Sequence, residues 1–122
     1  GVLVIDDSYN GNPDGAREAI HVLARFKNRR AIYITPGLVE MGGSSAEIHR
    51  SIGRDLASVA AIVILIRNSA TTFIAEGLIQ AGFKKQAILW FKNAVEAHQA
   101  LPSILKTGDV VLFQNDWPDN YL

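Results

Sequence analysis

Asp6-Asp7-Ser8-Tyr9-Asn10-Gly11-Asn12 places two carboxylates, a hydroxyl, a phenol and two side-chain amides directly after a short apolar run. A carboxylate at the end of a strand, facing outward, can accept two hydroxyl hydrogen bonds from a ribose. The same residues can do less, since Asp7, Asn10 and Asn12 are also types that cap a following helix. A second stretch, Thr35 to Gly43, carries three glycines and lets backbone approach a ligand closely. Within it Glu40 can hold a cation or a substrate amine, or be a solvated loop acid. His49 follows on a helical stretch, where a single His is either packed, exposed or a ligand. Arg67-Asn68-Ser69 offers a third set. The Arg67 fork can bind a carboxylate through two parallel hydrogen bonds. Asn68 and Ser69 add donors, or cap the next helix. Lys92 is a second cation in an equivalent position. Solvation of Arg67 as a plain strand-end charge is the alternative.

Several chemistries are excluded. The chain has no GxxxxGK[ST] and no GxGxxG, so it lacks the usual phosphate-cradling loops. It has no cysteine, hence no disulfide framework and no thiolate metal site. His21, His49 and His98 are scattered without zinc-ligand spacing, and no Ser-His-Asp arrangement can be argued from these positions.

Apolar runs of strand length alternate with stretches of helical period, and these must position the groups. Val2–Ile5, Ala31–Ile34, Ala61–Ile66, Ala87–Phe91 and Val110–Phe113 are short, continuous and rich in β-branched or aromatic residues. Continuous hydrophobicity predicts strands buried on both faces, as in a parallel sheet. Four helices are predicted between them. The first has Asn12 as N-cap and Pro13 at the first helical position. The second has Ile48, Ile52 and Leu56 on one face and a capping box of Ser44 with Glu47. The third spans Thr71 to Ala81, stopped by Gly82. The fourth opens at Asn93, with Glu96 three residues on, and ends before Gly108. The order βαβαβαβαβ with right-handed crossovers predicts a Rossmann-like, three-layer αβα domain. Its mostly parallel sheet has about five or six strands. Gln114 to Leu122 reads as irregular. In such a sheet every loop after a strand lies on one edge, where ligands bind. The three polar stretches, Lys92-Asn93 and Gln114-Asn115-Asp116-Trp117 all fall there, while Lys27-Asn28-Arg29-Arg30 and Lys84-Lys85 fall on the other edge as plain turns.

The 122 residues suit one domain, 1–122, and 48% hydrophobic residues can build a core. Twelve Lys plus Arg balance 12 Asp plus Glu, which gives no electrostatic footprint for nucleic acid or an anionic membrane. No apolar run approaches the roughly 20 residues that span a bilayer, so membrane insertion is not expected. Absence of cysteine fits the cytoplasm. The chain opens without Met and flush against a core strand, so it is expected to be a piece of a longer protein.

Ile5-Asp6-Asp7-Ser8-Tyr9-Asn10-Gly11-Asn12-Pro13 closely resembles the DDSYNANP stretch of the Mur ligase C-terminal domain. The nearest branch adds D-alanyl-D-alanine to a UDP-N-acetylmuramoyl-tripeptide. Thr35-Pro36-Gly37-Leu38-Val39-Glu40-Met41-Gly42 is similar to that branch's glycine-and-glutamate loop, and Glu47-Ile48-His49-Arg50 with Ile52-Gly53 to its following helix. The resemblance runs in order along nearly the whole chain. It implies an ATP-dependent amide-forming ligase of peptidoglycan precursor synthesis that works through an acyl phosphate. A central ATPase domain of the same chain carries the P-loop and holds most of ATP with Mg2+, so this domain alone would not catalyse. Partners would be the UDP-linked muramoyl precursor and an amino acid or dipeptide amine. By position Asp7 falls at the ribose, with Ser8, Tyr9 and Asn10 beside it toward the phosphates. Glu40, Gly42 and His49, and Arg67, Asn68 and Ser69 after the third strand, fall on the amine-substrate side. Gly11 replaces the usual Ala, and the ending Phe113 to Tyr121 departs from the branch's KGSR-like tail.

Three other assignments compete with this one. A signalling receiver domain has the same size and an acidic pair like Asp6-Asp7. It needs an Asp where Ile66-Arg67 stands and a Lys where Phe113-Gln114 stands. A divergent Mur-type ligase for another precursor, and a non-catalytic binding module of the same fold, both stay compatible with these residues.

Overall fold

The computed structural model describes residues 1–7, 12–38 and 42–115. Strands β1 (Leu3–Asp7), β2 (Ala31–Thr35), β3 (Ile62–Ile66), β4 (Ile88–Phe91) and β5 (Val110–Gln114) alternate with helices α1 (Pro13–Leu23), α2 (Ser45–Leu56), α3 (Thr71–Gln80) and α4 (Ala94–Ile104). Short 3₁₀ turns at Gly42–Ser44 and Lys85–Ala87 precede α2 and β4. The five strands form one wholly parallel sheet in the order β1-β5-β2-β3-β4. The expected Rossmann-like, three-layer α/β fold is present.

Strand order and crossover handedness together assign the helices to faces. Steps from β1 to β2, β2 to β3 and β3 to β4 all run one way, so right-handed crossovers put α1, α2 and α3 on one face. The step from β4 back to β5 reverses, so α4 covers the other face. The core divides accordingly. Ala16, Ile20, Leu23, Ile52, Leu56, Ile74 and Leu78 pack on Tyr33, Val63, Leu65, Val110 and Leu112. Ala97 and Leu101 pack on Ile32, Ile34, Ile64, Ile66, Val111 and Phe113.

Local signals hold at most helix ends. Asn12 Oδ1 accepts the Gly15 N–H at 2.7 Å, with Pro13 at the first helical position. Asn93 Oδ1 accepts the Glu96 N–H at 2.9 Å and opens α4. Gly82, with φ +90°, ends the turn after α3. Three expectations are corrected. Ser44 makes no capping box: its backbone stays helical (φ −90°, ψ 0°), and it has no side-chain cap bond. Glu47 reaches Arg50 and Arg54 instead. β1 is not buried on both faces, because β5 inserts between it and β2 and leaves it at the sheet edge, with Val4 54% exposed. Gln114 does not begin an irregular tail; it is the last residue of β5 and fully buried.

The α2–α3 pair is unusually close. A Cβ on Gly53 would stand 2.1 Å from the Ile74 carbonyl oxygen, and one on Gly77 would stand 2.0 Å from the Arg50 carbonyl oxygen. Across the layer, Arg50 lies over the Phe73 ring and donates to Glu76 at 3.2 Å.

At the edge where the strands begin, Asp109 is 3% exposed and takes a two-pronged bond from Arg30, at 3.0 and 2.7 Å. Asp109 also accepts the Lys106 N–H at 2.7 Å, while Arg30 donates to the Ile104 carbonyl. The Arg30 side-chain bond, then the Lys106 N–H, hold the Asp109 carboxyl below its ordinary range despite its burial. A carboxyl lowered in the folded state adds stability above its unfolded pKa, about 3.9, and loses it as pH falls through the folded value. Asp109→Asn is therefore expected to cost about 2 kcal/mol at pH 7. Urea titration should show the gap to wild type shrinking below about pH 3. An equal gap at pH 7 and in strong acid would refute this assignment.

Candidate functional site

The strand ends opposite that edge carry the polar residues singled out by sequence. Asp7 closes β1 and is in register with Gln114 of β5. The buried Gln114 side chain donates its Nε2–H to Asp7 Oδ2, which orients the carboxylate. Thr35, last in β2, donates from Oγ1 to the Gln114 carbonyl at 2.7 Å and accepts the Gly37 N–H at 3.0 Å. Asn115 sits at φ +55°, in the left-handed region that Asn tolerates. That turn lets its N–H reach the Asp7 carbonyl at 3.2 Å and its side-chain amide reach the Gly37 carbonyl at 2.9 Å. The ends of β1, β5 and β2 are thus laced into one rim. Asp7 also lines an open cavity of about 200 Å³ against α1, with Ile5, Glu18, Ala19 and Val22. Two residues below Thr35, burial drives the Tyr33 phenol far above its ordinary range, against the lowering effect of its hydrogen bond to Thr35. Tyr33 is a neutral core residue at physiological pH.

His49 is wholly buried. Its Nε2 accepts the Leu38 N–H at 3.0 Å, which leaves the ring proton on Nδ1 to donate to the Ser45 carbonyl at 2.7 Å. Gly37, at φ +89°, passes against this ring, and a Cβ there would lie 3.2 Å from His49 Nε2 and from Ala70 Cβ. Both ring nitrogens are thus spent on backbone. His49 acts by holding the glycine loop to α2, and Gly42 opens the 3₁₀ turn just beyond.

After β3, Asn68 Oδ1 accepts the N–H groups of Ala70 and Thr71 at 2.8 and 3.0 Å, while its Nδ2 donates to the Pro36 carbonyl at 2.6 Å. It both starts α3 and ties this loop to the one after β2. Ser69 is exposed, and its carbonyl accepts from Thr72 Oγ1 at 3.0 Å. Arg67 is exposed, and its guanidinium carbon lies 4.5 Å above the Trp90 ring. Its backbone N–H bonds to the Phe91 carbonyl at 2.8 Å. Because α3 and α4 depart to opposite faces, the loops after β3 and β4 diverge. The crevice between them is where parallel sheets place ligands. Arg67 and Lys92 are the first residues after β3 and β4.

The structure therefore brings Asp7, Gly42, Arg67, Asn68 and Ser69 to one edge and sets His49 beneath it. Ser8, Tyr9, Asn10 and Glu40 lie outside the described residues. Gln114, Thr35, Asn115 and Trp90 were not singled out. Among the described residues no group of His, Asp or Glu is arranged to hold a metal ion, and no helix is long and apolar enough to cross a membrane.

Residues 1–114 match the family described as Mur ligase, glutamate ligase domain. The crystal structure of MurF ligase from Thermotoga maritima in complex with ADP superposes with a TM-score of 0.74 at 28% identity, over 93% of this chain and 25% of that one. The chain thus spans about a quarter of that ligase. A domain assigned to a UDP-N-acetylmuramate:L-alanyl-gamma-D-glutamyl-diaminopimelate ligase from Haemophilus ducreyi superposes with a TM-score of 0.62 at 16% identity, over 95% of this chain and 80% of that domain. That second likeness speaks to the fold alone. No protein of curated function matches the chain. A family match along almost the whole length, on the fold and edge geometry described above, makes this chain a C-terminal domain of the Mur ligase family.

Proposed function

We propose that the chain is the nucleotide- and amine-binding domain of an ATP-dependent ligase that extends a UDP-linked muramoyl precursor of peptidoglycan in the cytoplasm, on the D-alanyl-D-alanine-adding branch. The observation that carries this reading is the Asp7 carboxylate, oriented by buried Gln114 on the binding edge of a Mur-family domain. The ADP complex of the Thermotoga relative supports the nucleotide part. A central domain of the same protein supplies the phosphate cradle and Mg2+, which the described residues do not offer. The precursor's carboxylate takes the terminal phosphoryl group of ATP as an acyl phosphate. The incoming amine then displaces phosphate and forms the amide.

In this reading Asp7 takes the ribose hydroxyls, with Ser8, Tyr9 and Asn10 toward the phosphates. Arg67 takes the free carboxylate of the amine substrate, a group every amino acid or peptide substrate shares. Among the described residues no acid pairs with Arg67, so its fork has no competing carboxylate. Asn68 and Ser69 frame it, Glu40 and Gly42 serve the same substrate, and His49 steadies the glycine loop at Gly37 and Leu38. The test is steady-state kinetics of the full-length ligase with UDP-muramoyl tripeptide, ATP and D-alanyl-D-alanine. Arg67→Ala should raise the KM for the dipeptide at least about tenfold and leave that for ATP nearly unchanged, with Arg67→Lys recovering part. Equal small effects on both substrates would return Arg67 to a solvated charge. No turnover with this substrate pair, but turnover with another amine, would make the enzyme a divergent member of the family.

A further inference from the structure

Trp90 belongs to β4, at the outer edge of the sheet, and is in register with Leu65 of β3. It is half-buried among the residues packed with α2 and α3, yet its ring also meets the Arg67 guanidinium at 4.5 Å. The geometry of this contact matters for what Arg67 can still do. A guanidinium stacked on an aromatic ring uses its flat face, where the ring's negative quadrupole attracts the charge. Its N–H bonds all lie in the guanidinium plane and point outward from the edge. A guanidinium over a ring can therefore keep its two-pronged edge for a carboxylate, whereas an ammonium, which has no flat face, could not use both contacts in this way.

The rest of the loop is held as firmly. Arg67 is bound through its N–H to Phe91, Asn68 is bound to Pro36 in the loop after β2, and Thr71 Oγ1 donates to the Ile66 carbonyl at 2.7 Å. A long arginine side chain is otherwise costly to order. Here the backbone bonds fix its root and the indole fixes its tip.

We propose that Trp90 is a positioning and specificity residue, which holds the Arg67 fork in the crevice between the loops after β3 and β4 so that it selects amine substrates bearing a free terminal carboxylate. This rests on the amine-site reading of Arg67 given above. It adds that discrimination between a carboxylate and its uncharged isostere depends on an aromatic residue that touches no substrate.

The test uses the full-length ligase with two probes, D-alanyl-D-alanine and its C-terminal carboxamide. Wild type should prefer the acid in kcat/KM. Trp90→Leu should narrow that preference about threefold to tenfold and raise KM for the acid, with KM for ATP unchanged. Trp90→Phe keeps a smaller ring and should narrow it only about twofold, so it also carries the test if the Leu variant fails to fold. In an Arg67→Ala background, Trp90→Leu should narrow nothing further, because the ring then has no guanidinium to hold. The proposal is overturned if Trp90→Leu acts equally with and without Arg67, or if it raises the KM for ATP and dipeptide in parallel. Should Arg67→Ala itself leave the acid-over-amide preference intact, the amine-site reading is what fails.

Discussion

Gly77→Ala is expected to cost the domain about 3–5 kcal/mol, a large share of the roughly 5–15 kcal/mol that holds a single domain together. Helix propensity alone argues the other way, since alanine in a helix interior is favoured over glycine by about 1 kcal/mol. Sterics decide the sign. The added Cβ would stand 2.0 Å from the Arg50 carbonyl oxygen, and that atom belongs to the backbone of α2, so no rotamer change can relieve the clash. The helices must move apart by more than 1 Å, which loosens the packing of Ile52, Leu56, Ile74 and Leu78 along the whole layer. Gly53→Ala meets the Ile74 carbonyl oxygen at 2.1 Å and should behave alike. Gly82→Ala is the control. It has nothing within 4 Å of its would-be Cβ but a φ of +90°, so it should cost only about 1 kcal/mol. Thermal melts followed by circular dichroism would check this. A Gly77→Ala melting point within a few degrees of wild type would show that the two helices can part freely.

In the full-length ligase, Asp7→Ala should raise the KM for ATP about 30-fold or more, as expected for losing two hydrogen bonds to a charged acceptor. The KM for the amine should move little. The substitution has a second effect that must be separated from the first. It removes the acceptor of the buried Gln114 amide, so the domain itself should lose about 1–3 kcal/mol. Asp7→Asn distinguishes the two, because its carbonyl can still accept from Gln114 while its charge is gone. Asp7→Asn should keep near wild-type stability and still raise the KM for ATP about tenfold. An unchanged KM for ATP in both variants would remove Asp7 from the nucleotide site and leave it a rim residue.

The strands and helices were legible because each is a local pattern. Ile62–Ile66 is a continuous apolar run, and Asn12-Pro13 and Asn93 with Glu96 are helix starts written in consecutive residues. That the polar stretches share one edge was legible as well, since in a parallel sheet every strand-to-helix loop lies on the same side. Pairings between distant residues were not legible. Nothing near Leu3–Asp7 says that it lies against Val110–Gln114, so β1 read as a strand buried on both faces and Gln114 as the start of a tail. Trp90 lies over Arg67 only because β3 and β4 pair in a particular register. His49 was legible as a helix residue beside the Ile48, Ile52 and Leu56 stripe. Its burial depends on the fold of the Gly37 turn over it, a contact 11 residues back and invisible to helical period. At Ser44 the local pattern misled, because a 3₁₀ turn had already begun the helix.

The place of β5 governs the order in which this domain can form during synthesis. Among the described strands β1 leaves the ribosome earliest, yet its partner in the sheet is β5, the latest of them to be made. Until residues 110–114 emerge, β1 has no ladder to join, and β2 presents an open flank on the side that β5 will fill. The α2–α3 layer over β2, β3 and β4 can assemble early from contacts near in sequence, while closure must wait for a pairing about a hundred residues long in separation, the slow kind of step. A nascent or truncated chain that stops before Val110 therefore leaves β1 and the β5 side of β2 unpaired, which is the form most prone to wrong association.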